Sequence, residues 1–516
     1  MSGGKKRRNK RKRPTIAAAR VAQIVGPHPS ASRLVGSSLV ALVAIVTVAA
    51  LVRLAATWND LWLDEIWTLK LLGDVHSLLG VFTLRHENNH ILNTLFMYAL
   101  RPFDIDWLYR VPDWLAGPAV VGLGAWVAWL GDGRQDRDDA SPRTRALVTA
   151  VLLGGSYLLV HYSSEARGYS LELAFGLLGV GTAFRDGVRP MSRRAPVAWV
   201  SLVLAMLALA LAVHFLVALI AWSAVHALRR GGWRDAAATL AWWYAVPVAF
   251  FVLYYLGFLS VMKSAGGPRE GVLAAAVSAI AGTTGLPDAV PGPLLLTFAI
   301  AVTATGLAWL AARGSDLWVF YLFGMIVSPA LVAYGHRSEL YVARHLIVSM
   351  TLWLLLAGRL LARLANGGPG ARFVVAATLV AFLVANAVRT VPLLRYGRGS
   401  YRDALRYMAS HTAGDSVRVT SDHDTRQRIV IDYYSPRIGL DKPVFYVNRR
   451  DLTVPGPDWY IAHLPPPPGG VPPVVADARR NLYRFEIEFP SNPFLGIPWR
   501  LYRSTGARGA SVGNRG

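Results

Sequence analysis

The chain has 516 residues, 53% hydrophobic and 16% charged, against about 25% charged in an ordinary soluble domain, so its composition points to a membrane protein. It has no cysteine, which excludes a disulfide scaffold, a thiolate metal site and a cysteine nucleophile. The net charge of +23 sits mostly at the two ends. Residues 1–33 hold ten Lys/Arg and no acid, residues 385–516 hold 19 Lys/Arg against 11 Asp/Glu, and the long middle keeps only about +5.

Residues 1–33 form a basic tail, with Lys5-Lys6-Arg7-Arg8 followed by Lys10-Arg11-Lys12-Arg13. The positive-inside rule reads it as a cytoplasmic orientation signal, with anionic lipid headgroups as the next reading. A neighbouring membrane span argues against nucleic acid as a partner. The charged stretch is too long, and the next apolar run spans too far, for a cleaved signal peptide.

Eleven apolar runs predict helices at roughly 34–56, 109–130, 146–162, 169–184, 197–213, 215–228, 237–259, 291–311, 317–334, 345–361 and 372–391. Most reach the length needed to cross a bilayer. Crossing in turn, they put Arg134, Arg137, Arg143, Arg145, Arg185, Arg189, Arg193, Arg194, Arg229, Arg230, Arg234, Arg313, Arg363 and Arg372 on the cytoplasmic side. This predicts a plasma (inner) membrane protein with its N-terminus in the cytoplasm and residues 395–516 outside. The expected fold class is an α-helical polytopic membrane protein, with a transmembrane domain over 34–394 and a small C-terminal α/β domain over 395–516.

Residues 57–108 form one long external loop. Within it Ile91–Phe103 is apolar but too short to span, and is predicted to lie along the membrane surface. The tail predicts an amphipathic helix over 402–411, strands over 416–421 and 443–447, a helix over 425–434, and β character over 460–463 and 482–489. The segment Pro465–Pro468 with Gly469-Gly470 reads as a linker.

The unusual polar residues gather at the external ends of the spans. They are Asp60, Asp64 and Glu65; His86, Glu87, Asn88, Asn89 and His90; His161, Glu165, Arg167 and Tyr169; then His214, Lys263, Arg269, His336, Arg337, Glu339, Arg344 and His345. One-sided placement suits an outward-facing enzyme better than a transporter, which would bury such groups near the midplane. Asp64-Glu65 reads either as a polar interfacial turn or as a carboxylate acting as general base or cation ligand. His86 and His90 share a helical spacing, but Asn88-Asn89 favour a turn, so a hydrogen-bonding role outweighs a zinc site there. Arg167 and Arg344 read as interfacial anchors or as paired donors to phosphate.

Several segments, in order, resemble the GT-C superfamily of integral membrane glycosyltransferases. The likeness is to the family-39 type, with protein O-mannosyltransferases, aminoarabinose transferases and bacterial lipid-sugar transferases. The segments are Asp64-Glu65, Asn88-Asn-His-Ile-Leu-Asn-Thr-Leu-Phe96, Arg110-Val-Pro-Asp113, Tyr162-Ser-Ser-Glu-Ala-Arg-Gly-Tyr-Ser-Leu171, Leu340-Tyr-Val-Ala-Arg-His-Leu346 and Tyr401-Arg-Asp-Ala-Leu-Arg-Tyr-Met408. The resemblance implies inverting transfer of a mannose- or arabinose-like sugar from a polyprenyl-phosphate donor to a glycan, lipid or protein acceptor outside the cytoplasm.

It further implies Asp64 as base or cation ligand with Glu65 beside it, and a possible Mg or Mn ion. The substrate-binding candidates are His86, Glu87, Asn89, His90, His161, Glu165, Arg167, Tyr169, His214, Lys263, Arg269, Arg344 and His345. Two departures leave the acceptor open. Ile91-Leu92 replace a diproline after His90, and His345 replaces a tyrosine. A flippase for the lipid-linked sugar is the alternative, and an idle scaffold whose tail binds partners is a third reading.

Overall fold

A computed structural model describes residues 29–131, 141–263, 271–335, 341–464, 466–467 and 470–508. The basic tail to Arg13, Arg134, Arg137, Arg269, His336, Arg337, Glu339 and much of the Pro465–Gly470 linker lie outside the described residues.

Every apolar run finds a helix. Among the described residues, seven helices are long and apolar enough to cross a membrane, or eight if one bent pair counts as a span. Their outer faces present Val40, Leu253 and Phe373 to the surroundings, as lipid-facing helices must. Three features change the simple eleven-helix picture.

The run at 146–162 is two helices, Pro142–Gly155 and Tyr157–Ser163, bent by 62°. Gly154-Gly155 permits the break, and a Cβ on Gly155 would lie 2.4 Å from Leu383 of the helix Pro369–Tyr396. The carbonyls freed there are taken by Arg53, which donates to Leu153 at 3.2 Å and Gly154 at 3.1 Å.

The runs at 215–228 and 237–259 are the arms of Val213–Gly257, which turns at Gly232 with φ 82°. Ser223 and Tyr244 are 21 residues apart, yet their hydroxyls lie 2.6 Å apart. In a straight helix they would be about 30 Å apart, so the arms fold back as a hairpin. The third feature is a 13-residue apolar helix, Val272–Thr284, which the sequence reading left unassigned.

Some of the loops assigned to one side meet. Arg230 donates to the Gly187 carbonyl, Trp243 to that of Arg189, and Arg229 and His226 both pair with buried Asp316.

The tail folds as an α/β domain. The helices are Tyr401–Ser410 and Asp424–Tyr434, and the strands are β1 Val417–Ser421, β2 Val444–Tyr446, β3 Trp459–Ala462, β4 Val474–Ala476, β5 Asn481–Phe489 and β6 Trp499–Arg508. The sheet order is β2-β1-β3-β6-β5-β4, parallel across β2, β1 and β3 and antiparallel beyond. The sequence reading lacked β4 and β6, and β6 is the strand that joins the two halves of the sheet.

This domain shares its core with the loop 57–108. Leu61, Trp62, Ile66, Val81 and Met97 from the loop pack in one cluster with Tyr401, Leu405, Val417, Ile431 and Leu501 from the tail. Polar contacts fasten the same seam. Tyr434 Oη accepts from the Leu61 amide at 2.6 Å, Tyr433 donates to Asp106 at 2.6 Å, and the Arg402 amide donates to Asp60 at 2.9 Å. The surface helix is Ile91–Leu100, extended by a 3-10 turn to Phe103. Its Ile91, Asn93, Thr94 and Met97 face the protein, while Phe96 and Phe103 stay exposed.

Candidate functional site

The helix Leu63–Leu72 begins directly beneath the tail, with Asp64 and Glu65 in its first turn. Glu65 reaches back to accept the Trp62 amide at 2.7 Å, an N-terminal cap that also complements the helix dipole. Its carboxylate is fully buried and forms a two-point pair with Arg110, at 2.8 and 2.6 Å, while also accepting the Ala166 amide at 2.7 Å. Arg110 spends its other donors on the carbonyls of Thr57, Asn59 and Asp60. Glu65 therefore locks together the end of the first span, the loop helix and residue 166. It has no free face for a substrate, so the geometry does not suit the reacting role expected for it.

Asp113, in the first turn of the helix Val111–Leu130, fixes the same motif from the other side. It accepts the amides of Gly168 at 3.0 Å and Ser170 at 3.1 Å, capping the helix Tyr169–Asp186. Gly168 has φ 73°, and a Cβ there would press to 2.8 Å against the Ala208 carbonyl, so glycine is required. Asn93 donates to the Ala166 carbonyl at 2.6 Å. Glu165-Ala166-Arg167 is thus held rigid.

Asp64 sits on the opposite side of the same turn and is 18% exposed. Arg167 Nη1 lies 2.6 Å from its Oδ2, and Arg344 Nη1 3.8 Å from the same atom. Burial on its own would raise the Asp64 pKa. The guanidinium groups of Arg167, Arg344 and Arg398 outweigh it and hold the group below its ordinary value, so Asp64 is a carboxylate. Arg167 also approaches Asn88 Oδ1 at 3.5 Å and stands 5.5 Å above the Tyr169 ring.

His90 joins this group, its ring 5.9 Å from Tyr169. Burial first, then Arg167 and Arg344, push its pKa well down, so it is neutral. Among the described residues, His90 Nε2 and Arg167 Nε are buried with no hydrogen-bond partner. Behind them, Glu165 pairs with His161 at 3.1 Å and with Arg398 at 2.5 Å. Burial would raise the Glu165 pKa, but Arg398, His161 and Arg167 bring it well below normal.

Arg398 is the residue that sequence reading missed. It lies just past the last span, with no motif to mark it, and its guanidinium covers the Trp62 ring at 3.9 Å.

Other candidates stand apart from Asp64. Asn89 is structural, donating to the carbonyls of Val81 and Leu84. His86 accepts the Asn88 amide and abuts Trp67. The backbones of Glu87 and Lys263 meet where residues 85–87 and 263 form a short parallel bridge. His214 pairs with Ser328 inside the bundle, and His345 packs on Tyr341 in the turn after Val342. Among the described residues no group of three or more His, Asp or Glu is placed to hold a metal.

No protein-family model and no curated protein matches the chain. Solved structures do. The chain is similar to ArnT from Cupriavidus metallidurans bound to undecaprenyl phosphate, at 13% identity and TM-score 0.45, over 92% of this chain and 99% of that one. It is also similar to the Archaeoglobus fulgidus oligosaccharyltransferase tethered to an acceptor peptide, at 13% identity and TM-score 0.41, over 78% and 60%. A further similarity is to AglB from the same archaeon with an inhibitory peptide and a dolichol phosphate, at 10% identity and TM-score 0.39, over 82% and 69%.

Proposed function

We propose that the chain is a membrane glycosyltransferase of the GT-C type. It moves a sugar from a polyprenyl-phosphate donor to an acceptor hydroxyl at the extracytoplasmic face of the plasma membrane. The observation that carries this reading is the Asp64 carboxylate, partly exposed, held by Arg167 and Arg344 beside the unpaired His90 Nε2 and Arg167 Nε. In this reading a donor phosphate supplies the partner that the Arg167 Nε proton lacks.

The chemistry follows from these groups. A phosphate-linked sugar brings its own leaving group. The acceptor oxygen attacks the anomeric carbon from the side opposite the phosphate, the bond from that carbon to the phosphate oxygen breaks, and the configuration inverts. Asp64 takes the hydroxyl proton, and the guanidinium groups stabilise the charge growing on the departing phosphate. When the donor phosphate engages Arg167 and Arg344, their hold on Asp64 weakens and its basicity rises. Glu65, Arg110 and Asp113 keep these groups in place.

The residues around Asp64 do not fit a resident Mg or Mn ion. Its near oxygen already faces two guanidinium groups, and neighbouring Glu65 is consumed by Arg110. No step is assigned to a divalent cation.

A flippase needs polar groups distributed along a path through the bilayer. Arg53, Glu172 and His214 are buried within the helices, but the cluster that combines a partly exposed carboxylate with several guanidinium groups lies at one end of the bundle, and that favours transfer over passage. The deciding experiment is mass spectrometry of lipid co-purified with the protein, followed by a transfer assay with that lipid-linked sugar in nanodiscs. Transfer to an acceptor supports the reading. Passage of intact donor across the membrane without transfer overturns it.

A further inference from the structure

The tail contains a second arrangement of polar groups, away from Asp64. In its sheet, β1 runs into the helix Asp424–Tyr434 and on to β2 on one side, while β3 lies parallel on the other side of β1. The chain therefore leaves β1 and β3 in opposite directions, opening a crevice at their carboxyl ends. In open α/β sheets that is where ligands bind.

The first residues past the two strands line this crevice: Asp422 and His423 after β1, and His463 after β3. The N-terminus of the 11-residue helix Asp424–Tyr434 faces the same end with its positive dipole pole, the Arg426 amide donating to His423 Nδ1 at 3.4 Å.

The polar bookkeeping there is incomplete. Arg426 Nη1 lies 3.0 Å from His463 Nε2. A guanidinium can only donate, so Nε2 accepts and the ring proton sits on Nδ1. Burial, Arg426, His423 and Arg500 push the His463 pKa down to about 3, which agrees with a neutral ring. Yet His463 is only 6% exposed, and its Nδ1 finds no acceptor among the described residues. Beside it, Asp422 Oδ2 accepts the amides of His463 and Leu464 at 2.8 Å each, while its Oδ1 is buried without a donor. Asp424 is already engaged by the Tyr446 hydroxyl and the Arg449 amide, and Arg449 Nε holds the Ser421 carbonyl.

We propose that this crevice binds the anionic end of a saccharide. A phosphate or carboxylate group meets the Arg426 guanidinium at the positive end of the helix, a ligand oxygen accepts from His463 Nδ1, and a sugar hydroxyl donates to Asp422 Oδ1. The unfilled acceptor argues for a hydroxylated ligand over a bare anion, since a bare anion would leave Asp422 unpaired against it. The site lies at the opposite end of its helix from Tyr433 and Tyr434, which dock on the membrane loop, so a water-borne glycan reaches it more readily than a lipid headgroup. This site does not depend on transfer at Asp64.

The test uses the full chain in nanodiscs, titrated calorimetrically with glucose 1-phosphate, glucuronic acid, inorganic phosphate and glucose. At least one of the two anionic sugars should bind saturably, about tenfold or more tighter than glucose or inorganic phosphate. Arg426→Gln should weaken that binding about tenfold, and Asp64→Asn should leave it unchanged. In protein carrying 15N-histidine, the Nδ1–H signal assigned through His463→Gln should shift with the sugar that binds and not with glucose, a readout that survives if Arg426→Gln fails to fold. Absence of saturable binding, inorganic phosphate binding as well as either sugar, or loss in Asp64→Asn instead of Arg426→Gln would each overturn the proposal.

Discussion

Arg398 and Glu165 are 233 residues apart in the chain, and their side chains meet at 2.5 Å. Arg398 belongs to the turn where the last span gives way to the tail, and Glu165 to the motif that positions Arg167. The same guanidinium lies over Trp62, the residue that precedes the loop helix carrying Asp64. One cation thus joins the tail, the loop and the motif, and contributes to holding Asp64 ionised.

Arg398→Gln should destabilise the folded protein by up to about 3–5 kcal/mol, because it removes the leading cation facing buried Glu165 and leaves it His161 and the more distant Arg167. The pH dependence has a definite sign. Glu165 is depressed below its reference value of 4.5, so its stabilisation is complete above that pH and disappears as pH falls through the lower folded value. The wild-type Tm should be insensitive to Glu165 from pH 7 to 4.5 and fall only below. In Arg398→Gln the fall should begin at higher pH. Thermal scans in nanodiscs across pH 3–8 check both points.

Asp64→Asn should lower transfer by about 10²–10⁴-fold, the range of a lost general base, with donor lipid still bound. The guanidinium groups around Asp64 keep it a carboxylate below its reference pKa of 3.8. Rate profiles of kcat/KM for the wild type should therefore show no acid limb from this group between pH 5 and 7. Wild-type rates in Asp64→Asn would remove the catalytic assignment.

Glu65→Gln should behave differently from Asp64→Asn. It removes the charge facing Arg110 in a dry site, so about 3–5 kcal/mol of stability should go with it. A double-mutant cycle with Arg110→Met should recover part of that loss, because both charges are then gone. Residual specific activity per folded molecule should stay far above that of Asp64→Asn. Equal activity loss without loss of Tm would return Glu65 to the reacting set.

Arg167→Lys keeps the charge and loses the planar fork. Donor affinity should drop about tenfold or more, since a lysine cannot hold Asp64 and a phosphate oxygen together in one plane. Competition by undecaprenyl phosphate in the transfer assay measures it.

Much of this was legible in the chain itself. The apolar runs carry the length of bilayer helices, and Glu165-Ala166-Arg167-Gly168-Tyr169 is legible as a charged cluster at the end of a span. What sequence could not show was partnership. Asp64 and Glu65 look alike as neighbours, but a helix turns successive residues about 100° apart, sending one carboxylate to Arg110 and the other to the opening. Arg398 carries no local pattern, and its role exists only because the tail folds back. The strand β6 escaped notice because Trp499–Arg508 mixes arginine and glycine into a partly buried strand, so alternation is weak. The hairpin at Gly232 and the break at Gly155 depend on glycines whose neighbours come from distant helices.

The shared core makes the strongest prediction about domain organisation. If the tail were a separable module, deleting residues 396–516 would leave the membrane part active. Its removal instead uncovers Leu61, Trp62 and Ile66, now all but fully buried, and deprives Glu165 of Arg398 and Asp60 of Arg402. Each large apolar side chain returned to water costs about 1.5–3 kcal/mol, and the loss falls on the loop that carries Asp64. The truncated protein should insert in the membrane, because its spans are intact, but lose transfer and show faster hydrogen exchange across residues 60–72. Co-expressing residues 396–516 as a separate secreted chain should restore some protection in that stretch if the contact surfaces alone suffice. Full activity in the truncated protein would show that the loop holds its shape without the tail, and that the seam between them is incidental to the site.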